Sequence, residues 1–412
     1  MTRSSFSHPH ARAILKPGRE RSLLNRHPWV FSGAINQIEG DPQPGDIVAI
    51  HDATGQMLGS GFYNPHSQIR LRLLTFSTEA ITEIFFTDRL KTAAELRARF
   101  LSSKVTAARL VHGEGDGLPG LIIDRYGSVL VAQFHTLGMT NLRSRIVDLL
   151  RRIFTPIAIV ERSPALKEEG VTASSGILWG KIPHSSWADS SGNPGWLEVV
   201  EHGVRSWVDV LGGQKTGMFL DQRDNRRRVA KLAAATNDMR LLNCFSYTGG
   251  FSLHAARQGA MTTSVEISAP AQDVARKNFL LNDLSPVRHR FETADVFDWL
   301  RGCNERYDLV VLDPPAFVKH RSHLEQGARA YKDINRLALG LVEPGGLLMT
   351  CSCSSHVDWS MFQKILYGAA READRPIQVI SRHGQPLDHP FSLYHPEGEY
   401  LKTFLLRVNT TN

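Results

Sequence analysis

The chain has 412 residues, enough for two or three domains, and with 42% hydrophobic and 22% charged residues it has the composition of an ordinary folded protein. The formal net charge of +7 leans towards polyanionic partners. No apolar run approaches the roughly 20 residues of a membrane span, Met1 to Gly18 lacks the apolar core of a signal peptide, and the four cysteines suggest no disulfide framework, so a cytoplasmic location is expected.

Residues 1–76 are predicted to be β-rich. Ile47-Val48-Ala49-Ile50 is followed by the turn Asp52-Ala53-Thr54-Gly55 and by Leu58 to Tyr63. Ile69-Arg70-Leu71-Arg72-Leu73-Leu74 alternates apolar and basic residues, as a half-exposed strand does. Residues 1–36 carry six Lys/Arg (Arg3, Arg12, Lys16, Arg19, Arg21, Arg26) against one acid, Glu20. With Trp29 and Phe31 close by, Lys16, Arg19, Arg21 and Arg26 suit a phosphate backbone and stacked bases. A solvated basic edge is the plainer alternative.

A helix is expected over Thr87 to Leu101. Gly113-Glu114-Gly115-Asp116-Gly117-Leu118-Pro119-Gly120 lacks the strand-to-helix context of a phosphate loop, and its acids would repel phosphate, so it reads as a turn. Gly127-Ser128 is a hairpin signal between Leu121–Tyr126 and Val129–Phe134. A helical period over Met139 to Ile153 and a strand at Ile157 to Glu161 complete a small α+β domain. It ends in a loop, Ser185 to Gly195, rich in Ser, Asp and Gly.

From about 198 strands and helices alternate, as in a doubly wound α/β domain. Strands are expected at Arg240–Phe245, Thr262–Glu266, Arg290–Thr293 and Leu309–Leu312, with helices at Gly250–Gly259, Pro270–Leu281 and Arg329–Leu341. Gly345-Gly346 then reads as a turn before a buried strand, Leu347 to Met349, with Cys351 and Cys353 where that strand ends. Ile377–Ser381 and Tyr400–Val408 would close the sheet.

In such a sheet, ligands sit beyond the carboxyl ends of the strands. Asn243-Cys244-Phe245-Ser246-Tyr247-Thr248-Gly249-Gly250-Phe251 is a strand–turn–helix junction without the glycine spacing that seats a pyrophosphate. Glu266 ends the next strand, about the ~20-residue distance at which an acid binds ribose hydroxyls. An adenosine lacking a pyrophosphate fits this pair, and S-adenosylmethionine is such a ligand; Asp295 could accept from its adenine amino group. Each acid by itself could be a helix cap. Asp313-Pro314-Pro315 aims carbonyls and a carboxylate at the place where a substrate base would lie. Cys351-x-Cys353 has no second cysteine pair to complete a zinc site, so no metal is expected.

On these motifs the chain resembles the PUA-domain 5-methylcytosine methyltransferases of large-subunit ribosomal RNA. The resemblance also takes in Lys16-Pro17-Gly18-Arg19-Glu20-Arg21, His27-Pro28-Trp29, Lys215-Thr216-Gly217, Leu220-Asp221-Gln222-Arg223, Tyr331-Lys332-Asp333-Ile334-Asn335 and Pro396-Glu397-Gly398. It implies a β-rich PUA RNA-binding domain over residues 1–76, a small α+β middle domain over 77–197, and a class I (Rossmann-like) methyltransferase domain over 198–412. It implies that Phe245, Ser246, Tyr247, Thr248, Gly249, Gly250, Phe251, Glu266, Asp295, Gln222 and Arg223 serve S-adenosylmethionine, and that Asp313 acts at the base. The family nucleophile falls on Cys353 by its spacing from Gly345-Gly346.

The implied chemistry explains the parts. Carbon 5 of cytosine is a poor nucleophile until a thiolate adds at carbon 6, and Asp313 would stabilise the charge that addition creates. A free thiol is only a few per cent thiolate at pH 7, so a cationic neighbour is required, with Lys215, Lys319 and Lys332 as candidates. The competing readings are an RNA amino-group (guanine or adenine) methyltransferase with a structural Cys353, and a non-catalytic RNA-binding assembly factor. The sequence leaves the target cytosine and the oligomeric state open, a homodimer included.

Overall fold

The computed structural model describes residues 11–409 apart from 103, 186 and 188–191. Arg3 and positions 186 and 188–191 of the expected Ser185–Gly195 loop lie outside the described residues. The chain forms two compact units: one comprises the described residues up to Val199 with Val208–Leu220 and Leu387–Gly398, the other Val200–Trp207, Asp221–Pro386 and the residues from Glu399.

The first unit opens with strands β1 (Arg12–Leu15), β2 (Trp29–Phe31), β3 (Ile35–Glu39), β4 (Ile47–His51), β5 (Met57–Tyr63) and β6 (Ile69–Thr75). They form a sheet in the order β2-β6-β5-β4-β1-β3. Strand alternation sends Ala13, Leu15, Val30, Val48, Ile50, Leu71 and Leu73 into one core. The basic face of β6 is not solvated as its alternation suggests. Arg72 is nearly buried, its Nη1 donating to Glu114 and its Nη2 to Glu169 at 2.7 Å each. Burial works against that charge, but the two carboxylates outweigh it and raise the Arg72 pKa above its usual value.

The same unit continues with β7 (Ala107–His112), β8 (Leu121–Tyr126), β9 (Val129–Phe134), β10 (Ala158–Ser163) and β11 (Ser174–Gly180), ordered β11-β10-β9-β8-β7. Antiparallel β8 and β9 meet at the expected Gly127-Ser128 hairpin. The helix expected from Thr87 starts at Glu83, because the Thr82 side chain accepts from Phe85 N and caps it. In the glycine-rich turn the acids are anchors: Glu114 binds Arg72, and Asp116 binds the buried Arg97. The strands β12 (Trp196–Glu201) and β13 (Val204–Asp209) pair with each other.

The second unit holds β14 (Arg240–Cys244), β15 (Met261–Glu266), β16 (Arg290–Thr293), β17 (Tyr307–Leu312), β18 (Val342–Ser352), β19 (Ile377–His383) and β20 (Lys402–Val408). Their order is β16-β15-β14-β17-β18-β20-β19. The β14–β18 ladders are parallel, and β20 runs antiparallel to both neighbours. Alternate residues supply two cores: Leu242, Val310, Leu312, Leu348 and Phe404 on one face, and Leu241, Leu309, Val311, Met349 and Leu405 on the other. Helix-covered faces on both sides explain why these strands read as continuous apolar runs. Strand order reverses between β14 and β17, the switch point at which such sheets bind ligands.

Gly345-Gly346 is not a turn ahead of β18. The strand begins at Val342, and its pairing with β17 jumps from Tyr307↔Val342 to Leu309↔Leu347, so the glycines form a bulge inside it. Gly345 takes φ +85°, a conformation glycine adopts without strain.

Candidate active site

Three strands bring the expected site residues to one edge. Cys244 pairs with Leu312, and Leu312 with Thr350, so Phe245 and Asp313 leave the sheet at the level of Cys351, which stays within β18 opposite Thr403. Beyond β14 the chain turns sharply, with Phe245, Tyr247 and Gly249 at φ 59°, 48° and 78°. A left-handed non-glycine residue costs on the order of 1–3 kcal/mol, so the surroundings must hold this turn in place. Glu266 does so: its Oε2 accepts from Tyr247 N at 2.9 Å and its Oε1 from Ser268 N at 3.0 Å. Ser246 N donates to Val265 O, and Gly249 N to Ser246 O. A Cβ on Gly249 would lie 2.9 Å from the Ala275 Cβ, so close packing and φ both demand glycine there.

This loop fits an adenosine-bearing methyl donor. The Ser246 hydroxyl is buried with no hydrogen-bond partner among the described residues, and each Glu266 oxygen keeps a second lone-pair direction for a ribose hydroxyl. Thr248 O accepts from Asn278 Nδ2, Gly250 begins the next helix (Gly250–Ala256), and Phe251 packs into the core with Leu241 and Leu309. Asp295 is exposed at the edge after β16. Its Oδ1 caps the following helix by accepting from Asp298 N, so the cap role weighed for it in the sequence is present. Arg223 is buried, 3.6 Å from Asp224. Gln222 bonds the base-side acid: its Nε2 donates to Asp313 Oδ1 at 2.8 Å while its Oε1 accepts from Asn225 Nδ2 at 2.6 Å.

Asn225 also donates to Thr403, whose hydroxyl lies 3.3 Å from Cys351 Sγ. Cys351 is fully buried, and burial followed by the Asp313 charge pushes its thiol well above the usual pKa. Cys353 lies one residue past the end of β18 and is half-buried. Its turn is tightly fastened. Ser354 Oγ accepts from Val318 N at 3.2 Å and lies 2.9 Å from the buried Tyr331 hydroxyl. Phe317 packs at 4.7 Å on Tyr331, 6.0 Å from Phe297 and 6.5 Å from Phe245, which lines aromatic surface between the two loops.

Lys332 donates to Glu372 at 2.6 Å, Lys319 is exposed, and Lys215 lies in the other unit over the Phe219 ring. Lys402, missed in the sequence, faces Ser352 across the β18–β20 ladder and is 2% exposed. A lone lysine inside Leu401-Lys402-Thr403-Phe404-Leu405-Leu406 was the available signal. Among the described residues no group of three or more His, Cys, Asp or Glu is placed to hold a metal ion.

In the first unit Lys16, Arg19, Arg21 and Arg26 are all exposed, Lys16 Nζ reaching Gly33 O at 3.1 Å. Trp29 is not available to stack on a base. Its Nε1 donates to Glu114, the Arg72 guanidinium lies over its ring at 4.9 Å, and His395 packs on it edge-on at 4.4 Å. Phe31 is 51% exposed and keeps that possibility.

Residues 13–76 match the PUA-like domain family, and residues 173–406 match the S-adenosylmethionine-dependent methyltransferase family. Ribosomal RNA large subunit methyltransferase I of Salmonella arizonae is 42% identical over 99% of this chain and 100% of its own length. The protein of the same name from Klebsiella pneumoniae is 43% identical over 96% of this chain and 98% of its own. A solved structure of a Streptococcus mutans protein described as a SAM-dependent methyltransferase superposes with TM-score 0.81 at 22% identity, over 96% of this chain and 100% of that one, a likeness of fold. The chain therefore belongs to the S-adenosylmethionine-dependent methyltransferases, in the family of ribosomal RNA large subunit methyltransferase I.

Proposed function

We propose that this large-subunit rRNA methyltransferase transfers the methyl group of S-adenosylmethionine to carbon 5 of a cytosine, with Cys353 as nucleophile and Asp313 at the base. The observation that carries the reading is the contrast between two neighbouring thiols. Cys351 is sealed in the sheet with its pKa raised, while Cys353 stands past the strand end at the ligand-binding edge.

The Cys353 thiolate adds to carbon 6, forming an S–C bond as the C5–C6 double bond opens. Asp313, held at Oδ1 by Gln222, donates as the carboxylic acid to ring N3, where negative charge gathers. S-adenosylmethionine, when bound, supplies a methyl group on a sulfonium. Carbon 5 takes that methyl, and the electrons of the broken C–S bond stay on the sulfur. A base then removes the carbon-5 proton, the C5–C6 double bond re-forms, and Cys353 leaves as thiolate. The loop from Phe245 to Phe251, with Glu266 on the ribose and Asp295 towards adenine, holds the methyl donor, and Gln222 and Arg223 support it from the adjoining helix. Lys16, Arg19, Arg21 and Arg26 supply phosphate contacts.

RNA carrying 5-fluorocytosine tests this, because fluorine stands where the carbon-5 proton would be, no base can remove it, and the enzyme stays covalently bound. Wild type and Cys351→Ala should both give the adduct, while Cys353→Ala binds methyl donor and RNA without it. An adduct surviving in Cys353→Ala but lost in Cys351→Ala would reverse the assignment. No adduct with any variant would favour methylation of a base amino group.

A further inference from the structure

Resting on the reading of Cys353 as nucleophile, we propose that the buried ammonium of Lys402 is the cationic partner that keeps the Cys353 sulfur ready to attack. Lys402 opens β20 directly opposite Ser352, one residue before Cys353. Its Nζ donates to Ser354 O and to Tyr400 O at 2.7 Å each, so the Cys353 turn and the segment leading into β20 together aim it. Both acceptors are neutral carbonyls, which solvate the cation without cancelling its charge.

A lysine here is expensive to bury, and a sheet end held only by packing would use an apolar residue. The charges around the pair favour the assignment. As a thiolate, Cys353 would favour the charged form of Lys402 more than Glu399 or Asp358 does. Glu399 Oε1 is engaged by Trp359 Nε1 and Asp358 Oδ1 by Met361 N. Cys353 is faced as well by Tyr331 and Cys351, both pushed towards their neutral forms by burial, and Asp313 acts on Cys351. Burial pushes Lys402 down to about 8, so it still carries its proton at neutral pH and loses it as the pH rises through that value. A cation beside a thiol brings its pKa from about 8.5 into the range of roughly 3.5–7.5.

The test is the pH dependence of iodoacetamide alkylation at Cys353, read by peptide mass spectrometry on full-length protein saturated with S-adenosylhomocysteine. Half-buried Cys303 serves as the internal reference. Wild type should titrate below about 8.5. Lys402→Met should raise the midpoint by about one unit and slow alkylation at pH 7 about tenfold, and Lys402→Arg should restore it. A residue that only braces the turn would not move this midpoint. A wild-type midpoint at or above about 8.5, which needs no variant, overturns the proposal. So does an unmoved midpoint in a Lys402→Met protein that binds S-adenosylhomocysteine normally. If wild type fails to trap 5-fluorocytosine RNA while the midpoint still follows Lys402, the proposed reaction falls and the pairing stands.

Discussion

Replacing Glu266 at the end of β15 by alanine should weaken the methyl donor more than any single change in the loop that follows β14. The carboxylate has two tasks. It accepts the Tyr247 and Ser268 amides at 2.9 and 3.0 Å, and its remaining lone pairs face the space where a ribose diol would sit. A hydrogen bond to a charged group is worth about 1.5–3 kcal/mol, and two to the ribose, partly offset by water in the unbound state, give on the order of 2–4 kcal/mol. At about 1.4 kcal/mol per decade, Kd should rise roughly 30- to 700-fold. Tyr247 at φ 48° also loses its brace, so part of the deficit is loop disorder rather than missing ribose hydrogen bonds. Glu266→Gln separates the two, since the amide oxygen can still accept from one backbone N–H but carries no charge. Titration calorimetry with S-adenosylmethionine and S-adenosylhomocysteine should rank wild type, Gln and Ala in falling affinity. An Ala variant binding both as tightly as wild type would refute the placement of the ribose on Glu266.

Neutralising Arg19 and Arg21 should flatten the dependence of log K on log salt for RNA binding, by roughly 0.7–0.9 for each phosphate that is no longer neutralised; coincident slopes would mean that neither touches phosphate. Glu201→Gln should cost about 3–5 kcal/mol in the urea transition that abolishes S-adenosylhomocysteine binding, because Arg226 donates to Glu201 at 2.7–3.0 Å in a fully buried pair and would be left uncompensated. A loss below about 1 kcal/mol would show that the pair is hydrated in solution.

Much of the site could be read from the chain because its parts are local. Glycines at 249 and 250, an acid at the end of β15, the Asp313-Pro314-Pro315 segment and thiols at the end of β18 each mark a strand terminus within a few residues. A parallel sheet then collects those termini at one edge by register alone. Apolar runs likewise announced which strands are covered on both faces. What periodicity cannot supply is the partner of a polar side chain. Arg72 looks like the wet face of β6, yet it is closed in by Glu114 and Glu169, 42 and 97 residues away. Trp29 looks like a stacking platform until the same carboxylate and His395 claim it. Lysines near the motifs were the local candidates for partner of the nucleophile, whereas the cation we propose comes from β20, 49 positions on, because antiparallel pairing sets Lys402 across from Ser352. Local pattern determines which face a residue is on; long-range register decides what it meets there, and for buried charge that meeting sets the chemistry.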